Sequence, residues 1–312
     1  MRAVVLGGAG FLGSHLCDAL VTRGDEVICI DNEVTGGREN VRHLEDRGLS
    51  FLHADIVAGI VVDGVVDAVF HLASAASPPD YQRIPIATLR AGSEGTLHAL
   101  ELAAHKKARF LVTSTSEVYG DPAIHPQPES YWGNVNPVGL RSCYDEAKRF
   151  SEALTVAYQR ERGLCVQIAR IFNTYGPRMR LDDGRVLPNF VGQALRGEPL
   201  TIFGDGTQTR SFCYVDDLIR GFLLLIEKGD GMPVNLGNPT ELTMIEFANA
   251  VQRVAGTKLP LERKPLPPDD PKRRRPDISR AKKLLGWEPM VSLEDGLKKT
   301  VAFYRSSGDR SS

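Results

Sequence analysis

Short β-branched apolar runs alternate with helix-length amphipathic stretches through the first half of the chain, at 2–6, 27–31, 50–55, 67–73, 108–115 and 164–171. Runs of this length read as buried strands, and their alternation with helices predicts βαβ units and a doubly wound α/β parallel sheet. Between the first two, "SHLCDALVTRG" places Leu16, Ala19 and Leu20 on one helical face and stops at Gly24, a residue suited to a left-handed cap. From about Asn173 the texture changes to shorter helices and loops such as "NTYGPRMRLDDGR" and "KPLPPDDPKRRRPD". The expected organisation is a first domain over 1–172 and a smaller α/β lobe over 173–312. The segment "SFCYVDDLIRGFLLLIEKG" regains a regular amphipathic pattern, so 211–231 is expected to return to the first domain. The final "GDRSS" reads as a frayed tail.

Composition narrows the partners. With 312 residues and a net charge of -1, the chain can bury a large core and exerts no global pull on nucleic acid or anionic membrane. An anionic ligand must then be held by local arginines and helix ends, and a small molecule is the expected partner. The run "KRRR" at 272–275 is interrupted by prolines and aspartates, which argues against a nucleic-acid patch. Met1-Arg2 leads straight into "AVVLGG", leaving no room for a signal peptide, so a cytoplasmic protein is expected. The five cysteines, Cys17, Cys29, Cys143, Cys165 and Cys213, form no Cys-x-x-Cys pair and mostly sit in apolar segments, so buried thiols are expected. The seven histidines form no ligand spacing, and no metal site is expected.

The chemistry begins at "GGAGFLG". Gly8-x-Gly10-x-x-Gly13 follows a strand and opens a helix, where small residues let the backbone approach a pyrophosphate and free helix N–H groups face its charge. Gly7, Gly10, Phe11, Leu12 and Gly13 are the cradle residues. Asp31 ends the second strand where an acidic side chain accepts bonds from ribose hydroxyls and repels a 2′-phosphate, favouring NAD over NADP. Arg38 is the nearby residue that speaks for NADP. Asp55, in "HADI", is placed either to meet the adenine or to serve as a solvated turn residue. Further along, "YDEAKR" puts Tyr144 and Lys148 on one helical face, pairing a phenol with an ammonium that favours its ionised form. Thr115 ends the fifth strand, where its hydroxyl would share the substrate oxygen with Tyr144.

These residues, with "HLASAASPPDY", "STSEVYGDP", "YWGNVNPVG", "CYDEAKR", "RIFNTYGPRM", "DGRVLPNF", "GDGTQTRSF", "VNLGNP", "DDPKRRRPDI" and "LGWEP", resemble the extended short-chain dehydrogenase/reductases that act on nucleotide sugars. Within that family the blocks are most similar to the UDP-glucuronate decarboxylases. The resemblance implies a Rossmann-like NAD lobe, a UDP-sugar lobe and a homodimer formed through paired helices. It adds Asn32, Ile56, Leu72 and Ala73 to the NAD contacts. It also assigns Tyr81, Asn173, Arg210 and Arg274 to substrate, and Arg185, whose planar donor fork suits a diphosphate, is a further candidate.

The implied reaction oxidises C4 of UDP-glucuronate, loses CO₂ from the β-keto acid and reduces C4 again to give UDP-xylose. Thr115, Ser116, Glu117, Tyr144, Lys148 and Arg274 form its catalytic set. Glu117 is expected to orient the sugar and a water that protonates C5, and to disfavour the substrate's own carboxylate by repulsion. The Thr-Ser-Glu triplet alone does not separate a decarboxylase from a dehydratase; the "SPPDY" and "YWGNVNPVG" blocks do. A decarboxylase that releases the 4-keto pentose, an apiose-forming enzyme, a 4,6-dehydratase, a 4-epimerase and a silent NAD-binding regulator are the alternatives. Two departures stand out. Leu6 replaces the usual Thr before the glycines, removing a hydroxyl that would brace the turn, and Gly92 replaces a usual Asn, which is expected to loosen the helix near the nicotinamide.

Overall fold

The computed structural model describes residues 1–265 and 273–308. Residues 266–272 of the "KPLPPDDPKRRRPD" loop, including Lys272, and the end of the "GDRSS" tail therefore lie outside the described residues.

Six strands follow the apolar runs: β1 (Arg2–Leu6), β2 (Glu26–Asp31), β3 (Leu49–His53), β4 (Ala68–His71), β5 (Arg109–Thr115) and β6 (Val166–Ile171). They form one parallel sheet with Pro233–Leu236, in the order Pro233–Leu236, β6, β5, β4, β1, β2, β3. The seventh strand comes from the region expected in the second lobe, so the chain's return to the sheet runs past residue 231. Alternate strand residues enter two apolar layers, as a sheet buried on both faces requires. Ala3, Val5 and Leu111 face one layer; Val4, Leu6, Phe110 and Val112 face the other.

The helices are α1 (Phe11–Thr22), α2 (Pro78–Arg83), α3 (Pro85–Arg90), α4 (Thr96–Lys106), α5 (Ser142–Arg162), α6 (Val186–Arg196), α7 (Val215–Lys228), α8 (Met244–Ala255), α9 (Ser279–Leu285) and α10 (Leu293–Gly308). Helix α1 ends one turn after its apolar face closes, and Gly24 takes a φ of +88° immediately beyond it. Helix α7 packs on α1 and β6, as its amphipathic pattern requires. None of the described helices is long and apolar enough to cross a membrane.

Strand β3 ends before Asp55 because that carboxylate accepts the Val57 N–H at 2.9 Å and caps the turn Ile56–Ala58. Strand β4 ends before Ala73 because the Gly7 backbone passes close by: a Cβ on Gly7 would stand 2.6 Å from the Ala73 Cα. Cys165 is exposed, against the expectation of a buried thiol; it precedes β6 while the other four lie within packed elements. Leu6 leaves no defect in the turn. Its side chain fills the core, its carbonyl accepts the Leu72 N–H at 2.8 Å, and Gly7 N–H bonds to Ile30 at 2.8 Å. Gly92, the other departure, sits where regular α-helix is interrupted. It lies in a π-helical turn, Ala91–Gly95, where an added Cβ would meet the Ala147 Cβ at 2.6 Å, so its small size permits the close approach of α5.

Candidate active site

The strand order reverses between β1 and β4, and the crevice beyond their carboxyl ends is where open α/β sheets bind ligands. A cavity of about 850 Å³ opens there and extends to the second half of the chain. The residues assigned above to NAD, substrate and catalysis all line it, whereas Leu6, Gly8, Arg38 and Gly92 do not.

At one end stands the glycine turn. A Cβ on Gly13 would lie 2.1 Å from the Gly7 carbonyl oxygen, so α1 starts against the turn with no room for a larger residue. Gly10 caps α1 without a side-chain bond, which leaves the first N–H groups of Phe11, Leu12 and Gly13 for an anion. Asp31 is fixed at the tip of β2: its Oδ2 accepts the Ala9 N–H at 3.0 Å and its Oδ1 the Glu33 N–H at 2.8 Å. Burial raises its pKa from the ordinary carboxylate value, opposed by those two amides. Each oxygen retains a lone pair for a ribose hydroxyl. Arg38 grips Glu45 through Nε at 2.7 Å and Nη2 at 2.8 Å, an ion pair that competes with a 2′-phosphate for its guanidinium. Asn32, Asp55 and Ile56 line the adenosine side, and Leu72 and Ala73 the wall under the turn. A cradle closed to any Cβ, with a braced acid at the next strand tip, fits NAD.

In the middle, α5 presents Tyr144 and Lys148 to the end of β5. Lys148 donates to the Thr113 carbonyl at 2.8 Å and sits 5.8 Å from the centre of the Tyr144 ring. Burial lowers its pKa to about 8. Burial also pushes Tyr144 up to about 12, against the lowering effect of a hydrogen bond with Thr115. Burial thus opposes the ionisation of the phenol that its lysine is expected to favour. Tyr81 stacks on Tyr144 at 5.2 Å with the planes 8° apart, fixing the ring's orientation.

At the far end, two distant segments pair. The strand Thr209–Ser211 runs parallel to Arg273–Arg274, with Arg210 in register with Arg274, which sets two guanidinium groups on neighbouring strands. Arg274 reaches across to Glu117 and bonds its Oε1 through Nη1, while its Nε and Nη2 are buried with no partner. Arg185 pairs with Asp183 at 2.7 Å, and Asn173 lies beside them on the cavity wall.

Glu117 is held by two arginines, Arg274 on Oε1 and Arg141 on Oε2 at 2.5 Å. Burial opposes its charge, yet the two guanidiniums bring its pKa down to about 2. It is thus a fixed, neutralised carboxylate, and the expected repulsion of a substrate acid does not hold. Ser116 is buried beside it. Arg141 is a cavity component that sequence reasoning missed, and Asp145, buried behind the cavity wall, is a charged neighbour it also missed; both lie within three residues of Tyr144, and that proximity was the available signal. Burial and Glu117 raise Asp145 to about 7. Arg180 was missed as well. It bonds Asp80 at 2.8 Å and the Thr35 carbonyl at 3.4 Å, tying the loop before α6 to α2 and to the loop after β2.

The NAD dependent epimerase/dehydratase family profile matches residues 3–237. UDP-glucuronic acid decarboxylase 1 of Arabidopsis thaliana is 54% identical over 307 residues, covering 98% of this chain and 70% of the relative. Among solved structures, the UDP-glucose 4-epimerase of Thermotoga maritima, determined with UDP-glucose, superposes with a TM-score of 0.89 at 34% identity over 98% of this chain and 99% of its own. The UDP-glucuronic acid 4-epimerase of Bacillus cereus, in complex with UDP-glucuronic acid and NAD, gives 0.85 at 30% identity over 98% and 100%. With its glycine cradle, its Tyr144–Lys148 pair and a profile match across most of its length, this chain belongs to the NAD dependent epimerase/dehydratase family.

Proposed function

We propose that the protein decarboxylates UDP-glucuronate to UDP-xylose through a 4-keto intermediate, with NAD regenerated in each cycle. The observation that carries this reading is Arg274: a buried guanidinium with two unpartnered N–H groups, in the same cavity as Tyr144 and Thr115, is suited to a carboxylate on the sugar. The 54% identity to a decarboxylase supports it.

The NAD ring supplies, when bound, reversible hydride acceptance from C4. The glycine turn, Asp31 and Lys148 hold it. Tyr144 takes the C4 hydroxyl proton, and Thr115 shares the bond to that oxygen. The C4 ketone lies β to the carboxylate, so the electron pair left by departing CO₂ delocalises onto the ketone oxygen. Thr115, Ser116 and Glu117 orient the ring and a water that gives a proton to C5 and is reprotonated from solvent, so each CO₂ lost consumes one solvent proton, while ionised Glu117 accepts a hydrogen bond from that water. Tyr144 then returns its proton to the C4 oxygen. Arg210 and Arg185 serve the diphosphate and Asn173 the sugar, while Tyr81 keeps the base in plane. No acid is needed for a leaving hydroxyl, in keeping with Ser116 at a position where dehydratases of this family usually have an aspartate.

A homodimer in the cytoplasm completes the proposal. Ile86, Leu89, Leu97 and Phe150 are exposed apolar side chains on the adjoining helices α3, α4 and α5, and among the described residues every cysteine is a free thiol. Light scattering checks the mass.

Product NMR with UDP-glucuronate tests the chemistry. The expected result is UDP-xylose and CO₂ in equal amounts with no net NADH, and loss of about 10³-fold or more in Tyr144→Phe. A C4 epimer or unchanged substrate overturns the reading. Accumulated 4-keto pentose with one NADH per CO₂ would replace it with the shorter reaction.

A further inference from the structure

The carboxylate of Glu117 is shared between two guanidiniums, one per oxygen, and the sharing has a geometric consequence. Arg141 stands just before α5, where its carbonyl accepts the N–H groups of Tyr144 at 3.0 Å and Asp145 at 3.1 Å, so its backbone is part of the helix that carries the base. Its side chain turns back to Glu117 Oε2 at 2.5 Å. The three side chains are 21% (Arg141), 15% (Glu117) and 6% (Arg274) exposed, which leaves little water to substitute for any of them. An arginine and a carboxylate prefer a two-pronged pair. With Oε2 occupied by Arg141, Glu117 can offer Arg274 only Oε1, and Arg274 Nε and Nη2 remain free. The trio also carries one net positive charge, matching one incoming carboxylate.

We infer that Arg141 is a positioning residue for recognition of the sugar carboxylate: by holding Glu117 Oε2 it prevents the two-pronged Glu117–Arg274 pair that would consume the donors and the charge meant for substrate. The inference rests on the proposed decarboxylation. Without Arg141, Glu117 rotates onto Arg274, the pair becomes neutral, and affinity falls for the acid sugar alone. Tyr81, Tyr144 and Asp145 also face Glu117. Of these, Asp145 is the one that gains charge near neutral pH, and its ionisation draws on the same arginine.

The test compares wild type, Arg141→Met and Arg141→Lys in three measurements: KM and CO₂ release with UDP-glucuronate, Kd for UDP, and nicotinamide reduction by UDP-xylose, whose sugar has no carboxylate. Arg141→Met is expected to raise KM for UDP-glucuronate at least about tenfold, to leave Kd for UDP within twofold, and to keep the oxidation of UDP-xylose. Arg141→Lys retains the charge and recovers most of the affinity. An unchanged KM in Arg141→Met, or equal losses toward UDP, UDP-xylose and UDP-glucuronate in both variants, overturns the inference. Wild-type protein that releases no CO₂ would instead remove the proposed function.

Discussion

Glu117 and Asp145 share one buried cluster and shift in opposite directions. Two guanidiniums hold Glu117 at about 2, while Asp145, whose Oδ1 is buried without a bond, is raised to about 7. The consequences for stability differ in sign. Glu117 contributes stability that is present above the ordinary carboxylate pKa and is lost as pH falls through about 2. For Asp145 the folded state keeps its proton longer than the unfolded chain, so stability declines as pH rises from the ordinary range to about 7. Asp145→Asn should therefore raise Tm more at pH about 8 than at pH about 5, measured by parallel thermal melts; an equal change at both would show that Asp145 does not titrate as described. Glu117→Gln strands two buried cations and should cost about 3 kcal/mol in urea unfolding, together with most CO₂ release. Tyr144 and Lys148 were legible at this level because their spacing is local. The state of the phenol was not, because burial depends on everything packed around it.

Helix α5 carries Tyr144, Lys148 and, at its entry, Arg141, so its seat against the sheet determines the geometry of the reaction. That seat is the π-helical turn at Gly92. Ser151 Oγ and Thr96 Oγ1 each donate to the Gly92 carbonyl at 2.8 Å, binding α5 and α4 to the same turn. Gly92→Asn should lower stability by about 1–3 kcal/mol and reduce kcat by moving α5 outward. Pairing it with Ala147→Gly should restore part of both; no recovery in the double variant would locate the damage elsewhere than at this contact. The glycine at 92 was visible in sequence as a departure, but its meaning needed the helix that crosses it. At the nucleotide end, Gly13→Ala should abolish retention of NAD through purification, read from the absorbance of the released cofactor, because the added carbon meets the Gly7 carbonyl.

The cavity is closed by contacts between parts of the chain far apart in sequence. Arg180 ties α2 to the loop before α6 through Asp80, itself held by Ser77 Oγ at 2.6 Å. This clasp joins three segments of the cavity wall. Asp80→Asn should weaken it and increase the NADH and 4-keto sugar that appear in solution per turnover, with initial CO₂ release little changed; product NMR with an NADH assay reads both. The second half of the chain also completes the sheet, since Pro233–Leu236 pairs with β6.

The alternation of apolar runs determined six strands and the doubly wound class, because burial on both faces of a parallel sheet is a local demand on composition. The glycine turn, Asp31 and the Tyr144–Lys148 pair were likewise local, each set within one strand–turn–helix unit or one turn of helix. Only the tertiary structure decided that Arg274 meets Glu117 across 157 residues, that Arg141 takes the other oxygen, and that Arg38 is diverted to Glu45. The physical reason is that charge and hydrogen-bond partners are chosen by strand register and helix crossing, which no short stretch of sequence encodes.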